Sequence, residues 1–250
     1  MEPVTTKLQD GVFVVTLSWS VTNPIGPDTV TALIKALDES YKVNAKALVL
    51  TSTSNKFFSI GFDLPFLMDL DWVGFLEFYN AYNKMCLKLY TLSIPTVSAI
   101  TGHCIAGGCV LASMTDMRFM AQGNGKAGVN ELRLGVPVPY LETLVLTQLL
   151  GDRKAKEMIY TGDIFDQQWL KDAGFIDRFV QPAELLDEAV VQAKNLGSSP
   201  QYAFEAAKAM RTYPIQEEYL KKQEEGSRKF LECWFKDETR ALLKEARKKF

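Results

Sequence analysis

Two apolar rhythms alternate along the first half of the chain. Residues 11–19, "GVFVVTLSW", are β-branched and aromatic nearly throughout and read as a strand, closed by the turn-forming "NPIGPD" at 23–28. Val30, Leu33, Ile34 and Leu37 then recur at i, i+3, i+4 and i+7, the period of an amphipathic helix through "TVTALIKALDESY". "AKALVLTST" (45–53) is a second strand, apolar enough for burial on both faces. "FFSIGFDLPFL" (57–67) reads as a loop entering a short helix, and residues 72–91 as a long amphipathic helix stopped by Leu92–Pro95. Strands follow at 95–101 ("PTVSAIT") and 117–121 ("MRFMA"). Short apolar strands alternating with helices predict βαβ units and a parallel sheet, an α/β fold.

After about residue 139 the pattern becomes helical, interrupted by one short strand, "IDRFV" (176–180). The last stretch, "EEYLKKQEEGSRKFLECWFKDETRALLKEARKKF", is charged and amphipathic, and its charges read as a solvated helix face. Trp234, Phe235, Leu242 and Leu243 are expected to pack on the core or on a neighbouring subunit. No linker rich in Pro, Gly or Ser appears, so residues 1–195 and 196–250 are expected to form one compact unit.

Composition narrows the function. A formal net charge of −2 argues against a nucleic-acid partner, which needs a basic patch. The four cysteines, Cys86, Cys104, Cys109 and Cys233, have no Cys-x-x-Cys spacing, and His103 is the single histidine. A zinc site is therefore not expected, nor a histidine base anywhere but position 103. The N-terminal "MEPVTTKLQDGVFVVTLSW" lacks the form of a signal peptide, and no apolar run is long enough to span a bilayer. "ARKKF" at the C-terminus is not a peroxisomal address, so a cytoplasmic location is the expectation.

Two glycine-bearing corners follow buried strands: Gly61–Phe62 in "FFSIGFD", and Gly107–Gly108 opening the helix "GCVLASMTD". A glycine at a helix start leaves backbone N–H groups accessible, and the helix dipole adds positive potential there. Two such N–H groups converging on one oxygen make an oxyanion hole. Close packing of a helix on a strand, or a simple turn at "SIGFD", explains each corner equally well by itself. The spacing of Gly102, Gly107 and Gly108 is not a dinucleotide fingerprint, and no Gly-Lys-Ser/Thr phosphate loop occurs.

Four ordered stretches, "KFFSIGFDL", "IPTVSAITGHCIAGGCVLASMTDMRFMA", "NELRLGVPVP" and "AKEMIYTGDIFDQQWLKDAGFIDRFV", resemble the crotonase (enoyl-CoA hydratase/isomerase) superfamily over roughly residues 8–248. The resemblance implies a spiral core of ββα turns with two roughly perpendicular sheets, and a C-terminal helical region that builds a homotrimer or a dimer of trimers. It implies an acyl-CoA substrate, with CoA part of the substrate rather than a cofactor. It places the thioester oxygen between the N–H groups of Phe62 and Gly107, where an enolate is stabilised. Hydratases of the family use two glutamates; one matches Glu131, whereas Val110 stands at the position of the other. A single carboxylate suits removal of a proton from C2 of a 3-enoyl-CoA and its return at C4. "AGGC" followed by Val110, "NE" at 130–131 and Pro139 resemble the mitochondrial type of Δ3,Δ2-enoyl-CoA isomerase, and dienoyl-CoA isomerases carry an aspartate where this chain has Pro139.

On the same resemblance Lys56, Ser59, Ile60, Gly61, Phe66, Leu67, Gly108, Val110 and Pro139 are candidates for substrate binding beside Phe62, Gly107 and Glu131. Phe75, Phe78, Tyr79 and Tyr82 line either an acyl pocket or the core. Lys126, Lys229 and Lys236, like Lys56, are candidates for the CoA phosphates or plain surface lysines. Asp63 and Asp116 read as capping or ion-pair residues, and His103 as packing beside the hole. Arg133 either faces Glu131, which would lower its pKa, or points elsewhere. Hydration, thioester hydrolysis, C–C cleavage and a catalytically idle acyl-CoA-binding subunit remain alternatives, since fold does not fix function.

Overall fold

A computed structural model describes residues 2–248; Lys249 and Phe250 of the terminal "ARKKF" lie outside them. The chain opens with a hairpin of β1 (Val4–Gln9) and β2 (Val12–Leu17), paired antiparallel. Asp10 and Gly11 join them at φ +50° and +82°, the left-handed pair that a two-residue hairpin turn requires. β3 (Pro24–Ile25), α1 (Pro27–Lys42) and β4 (Ala47–Ser52) follow. Next come β5 (Phe57–Ser59), β6 (Gly61–Phe62) and α2 (Leu64–Leu67), then α3 (Trp72–Tyr90) and β7 (Thr96–Ile100). β8 (His103–Ile105), α4 (Gly107–Ser113), β9 (Met117–Ala121) and β10 (Ala127–Gly128) lead to a 3-10 turn at Glu131–Leu134. The rest is α5 (Tyr140–Thr161), α6 (Gln167–Asp172), β11 (Arg178–Val180), α7 (Leu185–Gly197), α8 (Gln201–Trp234) and α9 (Asp237–Arg247).

The main sheet runs β1-β2-β4-β7-β9-β11, parallel from β2 onward, as the βαβ pattern predicts. Every residue of β4 and β7 is buried, because α7 covers one face of the sheet and the main core covers the other. Residues 57–67, expected as a loop entering a helix, instead carry two short strands before α2. β5 joins β8 and β10 in a three-stranded sheet, and β6 pairs with β3. Asp63 caps α2 by accepting the Phe66 N–H at 3.2 Å.

The C-terminal helices return to the core rather than standing apart. On α8, Trp234 stacks on Phe75 of α3 at 4.2 Å between ring centroids, and Phe230 on Tyr79 at 4.3 Å. The buried Lys208 ammonium of α8 donates to Asp116 at 2.7 Å and to the Ile94 carbonyl at 3.2 Å, tying the helix to the segments that enter β9 and β7. The outer face of α8 carries i,i+4 pairs such as Lys222–Glu218 and Lys229–Glu225, the solvated stripe expected there. Among the described residues no helix is long and apolar enough to cross a membrane.

Candidate active site

The two glycine corners meet. At the first, the Ser59 hydroxyl donates to the Asn23 carbonyl at 2.8 Å and accepts the Gly61 N–H at 3.1 Å, holding Gly61 at φ +96°. The Asp63 N–H donates to Ile25 O of β3 at 3.0 Å. Successive N–H groups of a strand face opposite edges, so the Phe62 N–H faces away from β3. At the second corner, Ala106 takes φ +47° and ψ −125°, a conformation L residues rarely adopt, which stores about 1–3 kcal/mol of strain. The first bond of α4 runs from the Val110 N–H to Ala106 O at 3.0 Å, leaving the Gly107 N–H without an intrahelical partner. A Cβ placed on Gly61 would lie 2.9 Å from Gly107 N, so the two backbones are in contact.

Gly107 and Gly108 do different things. A Cβ on Gly108 would sit 2.4 Å from the Ser59 carbonyl oxygen, a backbone atom that cannot yield: this glycine lets α4 lie directly on β5. A Cβ on Gly107 would meet Phe62 Cδ1 and the Tyr82 hydroxyl at 3.3 Å, tight but not forbidden. Both readings of the Gly-Gly pair therefore apply, one to each residue.

These corners open into a cavity of about 250 Å³ with a mostly apolar wall. Of the residues singled out in the sequence for the site, Ile60, Phe62, Tyr82, Gly107, Glu131 and Pro139 line it, and so do Trp234 and Leu243, which the sequence placed against the core or a neighbouring subunit. Ser59, Gly61 and Gly108 sit behind the corners and shape them. Val110 and Leu67 are buried in the core and are not among the lining residues, and Phe66 is 50% exposed on α2. Lys56 stands beside Phe57, its Nζ 5.8 Å from the ring that borders the cavity. Lys229 pairs with Glu225 on α8, and Lys236 precedes α9.

Glu131 opens the 3-10 turn and is only 7% exposed. Its loop is pinned from α9: the Thr239 hydroxyl donates to Gly135 O at 3.1 Å, and a Cβ on Gly135 would lie 2.5 Å from that hydroxyl oxygen. One carboxylate oxygen of Glu131, Oε2, has no hydrogen-bond partner. Burial pushes the Glu131 pKa up from 4.5 to about 7, against a smaller lowering by its own backbone N–H. Arg133 does not oppose this. Its guanidinium donates to Thr161 O at 3.0 Å and pairs with Asp163 at the exposed rim. His103 tilts against Phe57 at 5.2 Å between centroids, and its Nδ1 accepts the Lys126 N–H at 3.2 Å. Desolvation, with Lys126 and Lys56 nearby, lowers its pKa and favours the neutral imidazole.

Apart from Tyr82, the sequence did not mark the opposite wall as part of the site. Phe230, Trp234, Leu243 and Ala246 arrive from α8 and α9, roughly a hundred residues after Glu131. Tyr82 of α3 lines the cavity too, and its hydroxyl donates to Gly107 O at 3.3 Å. A second buried carboxyl, Glu142 on α5, lies outside the lining with both oxygens within 2.9 Å of the Ser113 hydroxyl, and burial raises its pKa well above 4.5.

A family model described as enoyl-CoA hydratase/isomerase matches residues 7–250. The chain belongs to the enoyl-CoA hydratase/isomerase family. Its relatives include crotonyl-CoA hydratase of Syntrophomonas wolfei, 30% identical over 75% of this chain and 72% of that one. The human mitochondrial enoyl-CoA delta isomerase 1 is 27% identical over 80% of this chain and 67% of its own length. The crystal structure of human mitochondrial Δ3,Δ2-enoyl-CoA isomerase superposes with a TM-score of 0.94 at 24% identity, covering 99% and 97% of the two chains. The fold is thus that of the crotonase superfamily, and the chain is an enzyme of the hydratase/isomerase group.

Proposed function

We propose that this family member isomerises 3-enoyl-CoA to 2-enoyl-CoA, with Glu131 as the single proton carrier. One observation carries the reading: among the described residues Glu131 is the one carboxylate lining the cavity, and Val110 stands where the resemblance places a hydratase's second glutamate. Adding water across a double bond needs groups both to hold and to activate the water. Moving a proton along three carbons needs one base that becomes an acid.

In the proposed cycle the thioester oxygen accepts hydrogen bonds from the N–H groups of Phe62 and Gly107. Ionised Glu131 removes a proton from C2, the C2–H electron pair enters the thioester, and the oxygen takes the charge as an enolate. Protonated Glu131 then returns the proton at C4, and the double bond moves from C3–C4 to C2–C3. A carboxyl with a pKa near 7 suits both halves, because neither proton transfer is strongly uphill at neutral pH. Each donor of such a hole contributes about 2.7–4 kcal/mol to the transition state. Lys56, at the cavity's border, is the candidate for the CoA phosphates, and assembly as a homotrimer or dimer of trimers belongs to the same proposal.

Purified protein given 3-enoyl-CoA and 2-enoyl-CoA in parallel tests it. Absorbance of the conjugated thioester should grow from the 3-enoyl form, with little loss of the 2-enoyl form to the 3-hydroxyacyl product. Rapid hydration with slow isomerisation would overturn the assignment in favour of a hydratase.

A further inference from the structure

Among the described residues, four buried side-chain atoms lack a hydrogen-bond partner: Asn130 Oδ1, Glu131 Oε2, Trp234 Nε1 and Arg240 Nη1. Three of these residues, Asn130, Glu131 and Trp234, line the cavity. The proposed reaction accounts for Glu131; it has no use for Trp234.

Trp234 is 1% exposed and stands in a layer otherwise made of Phe75, Phe78, Tyr79 and Phe230. A phenylalanine there would stack on Phe75 without bringing a polar atom. A buried indole N–H ordinarily finds an acceptor, and buried groups left without one are few in native proteins. Trp234 meets the Phe62 ring edge-on at 6.5 Å between centroids, while Gly107 packs against the near edge of that same ring. Trp234 therefore stands one aromatic ring away from the oxyanion corner, on the wall of the same cavity.

We propose that the Trp234 indole N–H is a specificity element that receives an acceptor oxygen carried on the acyl chain beyond C4, so that the cavity takes oxygen-bearing acyl-CoAs better than a purely apolar pocket would. An ether, keto or hydroxyl oxygen supplies the same acceptor. The inference rests on the cavity being the acyl site, but not on which reaction Glu131 performs.

Equilibrium binding of saturated acyl-CoAs, which do not react, tests it. The probes are an all-carbon chain and a series in which a single methylene beyond C4 is replaced by an ether oxygen at successive positions. In the wild type one position should bind about three- to tenfold better than its neighbours in the series, the scale of a single net hydrogen bond. In Trp234→Phe that advantage should vanish while the all-carbon chain keeps its affinity within a few-fold. The wild-type protein gives an independent reading through the indole ¹H–¹⁵N spectrum. The Trp234 signal, assigned by eliminating Trp19, Trp72 and Trp169 with single Phe variants, should move downfield with the matched ether and not with the all-carbon chain. A flat dependence on oxygen position in the wild type, or a Trp234 signal indifferent to the ether, overturns the proposal. Failure of every acyl-CoA to bind overturns instead the reading of the cavity as the acyl site.

Discussion

Replacing Glu131 by Gln should make the protein more stable at alkaline pH than the wild type, and by an amount that grows with pH. The Glu131 carboxyl titrates near 7 in the folded chain because burial disfavours its charge, against 4.5 for the free side chain. Between those values the folded state holds a proton that the unfolded state has released. Stability therefore falls as pH rises through this window, and it levels off above about 7. At about 1.4 kcal/mol per tenfold, the full window corresponds to roughly 3 kcal/mol, most of it lost between pH 5 and 7. The glutamine amide has nearly the same shape and no charge to desolvate. Urea denaturation of both proteins at fixed concentration, from pH 5 to 8.5, reads the effect as a difference, because the other titrating groups are present in both; Glu142, whose pKa the Glu131 charge helps to raise, adds to it in the same direction. The stability difference should drift by roughly 2–3 kcal/mol in favour of Glu131→Gln. A difference flat with pH would mean that Glu131 is ionised in the folded state as readily as in water, and the argument from burial would be wrong.

In the proposed cycle the same carboxyl sets the rate, so kcat/KM for isomerisation should rise about tenfold per pH unit below about 7 and then level off. Arg133→Ala should leave that midpoint in place, since its guanidinium is engaged by Thr161 and Asp163; a midpoint displaced by a full pH unit would contradict this. Gly108→Ala should lose several kcal/mol in chemical denaturation because its methyl meets the Ser59 backbone at 2.4 Å, whereas Gly107→Ala should fold but lose roughly a hundredfold in kcat through displacement of an oxyanion donor. Asp116→Ala should cost about 3–5 kcal/mol by stranding the buried Lys208 ammonium, and equal stability of the variant would show that water reaches that amine.

How much of this was readable depended on the length over which a pattern runs. Strands β2, β4, β7 and β9 are apolar runs of five or six residues, and α3 repeats its apolar face over nineteen, so both periods show in the sequence. β3, β6 and β10 have two residues each, too few for any alternation, although β6 places the Phe62 N–H. β1 went unread because four of its six residues are exposed and three of those are polar, even though Asp10–Gly11 is a hairpin-turn signal. At the site, Phe62, Gly107 and Glu131 were visible through motif resemblance, and the cavity brings them together. Exposure of Phe66 and core burial of Leu67 were not visible, because a four-residue helix can present either face. Nor were Trp234 and Leu243: their approach depends on α8 and α9 folding back over α3 and the 3-10 turn, a tertiary event with no local mark.

The most direct measurement is turnover of 3-enoyl-CoA by the wild type and by Glu131→Gln, both shown to be folded, under saturating substrate at pH 8. A single-carboxylate proton shuttle predicts conjugated 2-enoyl-CoA from the wild type, and a loss of at least a hundredfold in kcat for the variant with little change in KM, since the amide can neither take nor return the proton. Isomerisation by Glu131→Gln at near wild-type rate would contradict it and assign the proton to another group.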